Sequence, residues 1–255
     1  VLWLIAALIV VSGTVVGWSC AWLVHRYDED PETVTAVLGD ATCDHCHHVL
    51  LPLETAKAGG SCPNCSERLP ASWFVITAAV PTLGLCMLAA FGTRLWLVPF
   101  LWLVPVLVVA SAIDIRLMLI PKRVAWVGFG VGAVLLVATA AYYGTLRDAV
   151  LNMVVGVALY FGILFVMWFI APRGMGFGDV RFAAVLGLYL GVIDWRLAMI
   201  GLFIACIAGV ILGIGVRIVR SDGNKHFPFG PGLALGAMVA LCFYKPLLDL
   251  VTSKA

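Results

Sequence analysis

The stretch LWLVPFLWLVPVLVVASAI, residues 95–113, contains no Asp, Glu, Lys or Arg and stops at Asp114. A run of roughly 20 apolar residues is long enough to cross a bilayer as one α-helix, and charges are costly there. Charge-free intervals should therefore mark further spans. They fall at 1–24, 69–93, 124–146, 149–172, 182–193, 197–216 and 226–244. All but 182–193 reach or approach span length. That interval reaches it only if its helix starts near Asp179 and Arg181 snorkels to the interface. None alternates apolar with polar residues as barrel strands do. The expected fold is an all-α polytopic membrane protein with about eight transmembrane helices.

Composition agrees. Of 255 residues, 63% are hydrophobic and 12% charged, against about half and a quarter in soluble domains. This excludes a soluble globule, a disordered chain, a collagen and a disulfide-stapled miniprotein. A net charge of +2 without a basic block argues against a nucleic-acid partner and leaves the lipid bilayer. The first run lacks a basic n-region and an A-x-A site, so residues 1–24 are expected to be a retained helix rather than a removed signal. Residues 25–72 form the one polar segment, with eight of the 14 acids, and 73–255 form the membrane core. Eleven of the 16 Lys and Arg follow helices 1, 3, 5 and 7. The positive-inside rule then places those loops in the cytoplasm and both termini outside. Five pairs of glycines four apart (Gly13/Gly17, Gly128/Gly132, Gly187/Gly191, Gly209/Gly213 and Gly232/Gly236) suit close helix packing. No repeat suggests the inverted halves of a transporter.

Within the polar segment, Cys43-Asp44-His45-Cys46 is followed after 15 residues by Cys62-Pro63-Asn64-Cys65. Two C-x2-C knuckles at this separation match four-thiolate coordination of zinc. Two disulfides are the alternative, disfavoured by cytoplasmic placement. Four thiolates leave no open position, which makes the site structural. His45, His47 and His48 then read as solvated, and Cys20, Cys86, Cys206 and Cys242 as small buried hydrophobes.

Six acids lie outside that segment. Asp148 and Asp194 neighbour Arg147 and Arg196, Asp222 lies in a polar loop and Asp249 near the C-terminal end; capping or surface pairing accounts for them. Asp114 and Asp179 differ. Helix 3 runs inward to Asp114, and helix 6 runs outward from Asp179 after a glycine-rich turn, so both carboxyls are expected at one depth near the cytoplasmic edge. Asp179 as a simple N-cap and Asp114 as a partner of Arg116 is the plainer alternative. Two carboxyls facing each other in a poorly solvated site do not readily both ionise. One retains a proton, which supplies the general acid and general base for peptide hydrolysis. The chain has no G-x-S-x-G, H-E-x-x-H or P-loop motif.

Gly174-Met175-Gly176-Phe177-Gly178-Asp179-Val180-Arg181 resembles the G-M-G-x-G-D-x-K signature of the prepilin peptidases, membrane aspartyl proteases of type IV pilus and type II secretion systems. Ala112-Ile113-Asp114 with Ile120-Pro121 resembles the segment of their first catalytic aspartate. Pro228-Phe229-Gly230-Pro231-Gly232 resembles their last-helix motif, and the paired knuckles resemble their zinc-bearing cytoplasmic insert. The resemblance implies an inner-membrane endopeptidase that removes basic leaders from prepilins or pseudopilins at the cytoplasmic face. It implies catalysis by Asp114 and Asp179, a substrate groove at Gly176, Gly178, Pro228 and Gly230, and structural zinc on Cys43, Cys46, Cys62 and Cys65. Many long members also methylate the new N-terminus with S-adenosylmethionine. Here the segments associated with methyl transfer depart from the pattern. Ala21 stands for the usual asparagine, and Ser72 to Thr77 replace R-Y-P-x-V-E; apart from these, Lys122 follows Pro121 where the family usually has Asp or Asn. Two other readings remain. One is a non-enzymatic zinc-binding scaffold. The other is a presenilin-like protease, whose Tyr-Asp and P-A-L motifs Ile113-Asp114 and Pro228-Phe229-Gly230 do not fit.

Overall fold

The computed structural model describes residues 2–30, 35–172, 175–219 and 228–252. Arg173, Gly174, Arg220, Asp222, Lys225 and Lys254 lie outside the described residues. The elements are α1 (Leu2–His25), the hairpin β1 (Tyr27–Asp30) and β2 (Thr35–Leu38), α2 (Pro52–Lys57), α3 (Ala71–Phe91), α4 (Leu97–Leu117), α5 (Lys122–Tyr142), α6 (Leu146–Ile170), α7 (Phe177–Gly191), α8 (Trp195–Val219), α9 (Gly230–Cys242) and α10 (Tyr244–Thr252).

The all-α membrane architecture matches the expectation, with one difference. Six helices are long and apolar enough to span (α1, α3, α4, α5, α6 and α8), and a seventh if α9 and α10, bent by 80°, count as one span. The interval read as a sixth span forms α7, of only 15 residues. Asp179 and Arg181 at its start and Asp194 and Arg196 beyond its end limit the apolar run. Its side chains from Val185 to Gly191 are all buried. A helix sheathed by other helices does not have to match the lipid in length.

Small residues set the helix contacts. A Cβ on Gly17 of α1 would sit 2.5 Å from the Thr77 carbonyl of α3. One on Gly187 of α7 would sit 2.6 Å from the Gly156 carbonyl of α6, and one on Gly236 of α9 would sit 2.5 Å from the Ala205 nitrogen of α8. At these three crossings backbone lies on backbone, which is how helices gain dispersion contacts where lipid removes the hydrophobic drive. Four of the five spacings read from the sequence have a member at one of these crossings; Gly128 and Gly132 instead receive Val106 and Tyr189. The large exposed side chains of α1 and α6, such as Trp3, Leu4, Phe169 and Ile170, are the apolar surface that faces lipid.

Candidate active site

Asp114 and Asp179 are the only buried charged side chains among the described residues, 4% and 7% exposed. Asp114 lies in the last turn of α4, which continues to Leu117, further than the sequence suggested. Met118 ends the helix in the left-handed conformation, φ 53°, its N–H donating to the Asp114 carbonyl at 2.9 Å. Leu119 to Pro121 then lead into α5. Asp179 lies in the first turn of α7, its N–H donating to the Gly176 carbonyl at 3.1 Å. The connection after α4 packs on the start of α7. A Cβ on Gly178 would meet the Ile120 backbone at 3.1 Å, so Gly178 lets the two carboxyl-bearing segments touch.

A third element completes the arrangement. The Gly230 N–H, at the start of α9, donates to Asp114 Oδ2 at 2.7 Å. A Cβ there would lie 2.8 Å from that oxygen, so the contact requires glycine. Asp179 Oδ1, buried, has no hydrogen-bond partner among the described residues. Both carboxyls face a cavity of about 650 Å³, which Gly176, Gly178, Lys122, Arg123 and Arg181 also line. Neither Pro228 nor Gly230 is part of its wall. Arg181 lies over the Phe177 ring at 4.5 Å, and that ring packs on Trp168 at 4.9 Å, which fixes the start of α7.

Sequence reasoning missed one wall entirely. Tyr27 of β1 and Val37 and Leu38 of β2, all from the polar segment, line the same cavity. Burial pushes the Tyr27 phenol up although Arg123 and Arg26 pull it the other way, so it remains an O–H donor. The alternation of a four-residue strand was the only available signal, and it was too short to read. Arg116 does not serve Asp114 as a partner; its guanidinium donates to the Val24 carbonyl at the end of α1, at 2.7 Å. Asp194 Oδ1 accepts the Arg196 N–H at 2.8 Å, the capping role expected of it.

The four cysteines converge. All four Sγ atoms lie within 4.8 Å of one another, with Cys43–Cys65 and Cys46–Cys62 at 3.6 Å. A tetrahedral ion with bonds of about 2.3 Å needs sulfurs roughly 3.8 Å apart, whereas a disulfide needs about 2.05 Å. The set fits a metal ion. The two knuckles are copies of one device. His47 and Ser66 both take positive φ, and their N–H groups bond to the Cys43 and Cys62 carbonyls at 2.9 Å. Each knuckle closes with a bridge, Thr42 to Val49 and Ser61 to Arg68. The His48 N–H pulls the Cys46 thiol down to about 6. The Glu67 N–H pulls Cys65 the same way, but burial and the neighbouring thiols push it up to about 12, the opposition expected of acidic sulfurs that crowd one space. His45, His47 and His48 are exposed. Trp18 and Trp22 of α1 donate to the Pro52 and Leu50 carbonyls at 2.8 and 2.7 Å, fastening the segment to the membrane core.

Residues 101–214, which include both carboxyls, match the type IV leader peptidase family. The chain is similar to the prepilin leader peptidase/N-methyltransferase of Aeromonas salmonicida, 27% identical over 225 residues that cover 84% of this chain and 74% of that protein. The protein of the same name from Pseudomonas aeruginosa is 26% identical over 224 residues, 82% of this chain and 73% of that one. The one from Bacillus subtilis is 26% identical over 226 residues, 84% and 85%. No solved structure matches significantly. The resemblance carried by the motifs is borne out.

Proposed function

We propose that this chain, a relative of the type IV leader peptidases, is a membrane aspartic endopeptidase that cuts leader peptides from prepilins or pseudopilins at the cytoplasmic face. The observation that carries the reading is the pair of buried carboxyls, Asp114 and Asp179, opening on one cavity at the end of α4 and the start of α7. One proton shared between them provides both catalytic functions. One carboxylate takes a proton from water as the water attacks the scissile carbonyl, and the protonated partner gives its proton to the carbonyl oxygen. As the C–N bond breaks, the first carboxyl passes its proton to the leaving amine and the second recovers one from a hydroxyl of the intermediate. Asp179 Oδ1 is buried and has no hydrogen-bond partner among the described residues, so it is free to carry the shared proton. Gly230 holds Asp114 in place. The Lys and Arg bias of the loops supports a cytoplasmic site with both termini outside.

Cys43, Cys46, Cys62 and Cys65 are proposed to hold zinc, which would order the segment that bears the hairpin. S-adenosylmethionine fits less well. Ala21 is fully buried and offers no polar atom, and the Thr77 hydroxyl donates to the Trp73 carbonyl at 2.8 Å. Methylation is therefore not part of the proposed activity. The test is to incubate the purified protein with a leader-bearing prepilin and measure the intact mass of the product. Loss of the leader is expected; an uncut prepilin would remove the reading.

A further inference from the structure

We propose that the free edge of β2 at Val37–Leu38 is a docking strand, on which the substrate adds as a third, extended strand with its scissile bond over Asp114 and Asp179. The proposal rests on the peptidase reading above and specifies how such a peptidase holds its substrate.

A two-stranded sheet has two outer edges. That of β1 lies toward α1 and α4, and its sequence Tyr27-Asp28-Glu29-Asp30 is charged, the usual means of blunting an edge. The sequence of β2, Thr35-Ala36-Val37-Leu38, has neither charge nor proline. Its backbone is available. The Gly39 N–H donates to the Arg26 carbonyl at 2.7 Å, and the register pairs Tyr27 with Leu38. Antiparallel ladders alternate bonded and non-bonded pairs. Tyr27–Leu38 is then a non-bonded pair, and the Leu38 N–H and C=O point away from β1. Among the described residues neither group is bonded to a loop or helix.

Position agrees with availability. Val37 and Leu38 are consecutive, so their side chains leave opposite faces of the hairpin. Both nevertheless line the cavity of the two carboxyls. The edge of the strand, rather than either face, can present both to one space. A protease has to hold its substrate extended, because a helical amide has its carbonyl already engaged. Adding a strand to an open edge provides this, with main-chain bonds for affinity and side-chain pockets for specificity.

The test uses the whole protein in detergent and a synthetic substrate spanning the leader and the start of the following hydrophobic helix. Its backbone amides are methylated one at a time across the scissile bond. Strand addition predicts losses in kcat/KM of about tenfold at alternate positions and little between them; a profile without alternation overturns the proposal. Leu38→Pro probes the protein side, since it deletes the outward N–H at an edge position where proline is tolerated. Its KM is expected to rise about tenfold, and a KM equal to that of the unsubstituted protein also overturns the proposal. Failure to cut the unmethylated peptide at all would defeat the peptidase reading, and the docking strand with it.

Discussion

The four thiols and the two carboxyls are both sets of acidic groups held closer than their charges favour, and the two sites accommodate this in opposite ways. The thiols are enclosed. Each knuckle satisfies its own backbone, and the four sulfurs, within 4.8 Å, leave no face for a fifth partner. The carboxyls are half enclosed. Gly230 engages Asp114, whereas Asp179 Oδ1 has no partner among the described residues, and both open on the cavity. On the proposed function, a metal would balance the first set and a shared proton the second. A closed set can only hold structure together, while an open one has an atom left for chemistry.

Five substitutions or measurements test that contrast. Asp114→Asn and Asp179→Asn should each lower cleavage by at least about 100-fold, the scale of general acid–base catalysis, while Asp148→Asn and Asp194→Asn stay active; product mass reads all four. With the carboxyls intact the rate should fall at high pH, where the acid partner loses its proton, and a rate still rising at pH 10 would count against the pair. Next in size, Gly230→Ala should cost about 10- to 100-fold. Its Cβ, 2.8 Å from Asp114 Oδ2, has to displace that carboxyl, and kcat with retained helical content by circular dichroism measures it. Smaller in its effect on chemistry, the Cys43→Ser/Cys62→Ser pair should abolish bound zinc by metal analysis and loosen the polar segment to proteolysis. Cleavage should drop only several-fold, through the hairpin that the segment carries. A zinc content unchanged by the pair would refute the closed site. Last, adding S-adenosylmethionine should leave the cleaved pilin's mass unchanged. A product heavier by one methyl group would show that Ala21 and Thr77 do not matter.

What could be read in advance was what chain-local chemistry determines. Charge-free runs located the long helices, and the spacing of Cys43, Cys46, Cys62 and Cys65 located the thiol cluster. Asp114 and Asp179 could be set at one depth because the helices that bear them run in opposite directions, and their pairing followed from the motifs they resemble. Contacts distant along the chain could not be read. That Tyr27 shares a cavity with Asp114, that Arg116 serves α1, and that Gly230 contributes an N–H all depend on how separate helices pack. The length of α7 was misjudged for a related reason. An apolar run shows that a segment avoids water, but not whether lipid or protein surrounds it.

The two shortest membrane helices also bear on the bilayer itself. At 1.5 Å per residue, α7 and α9, of 15 and 13 residues, rise about 22 and 20 Å, against a hydrocarbon core of about 30 Å. Both are largely buried among the longer helices, so the lipid does not have to thin to meet them. The depth at which Asp179 and Gly230 begin these helices is therefore set by helix packing rather than by acyl-chain length.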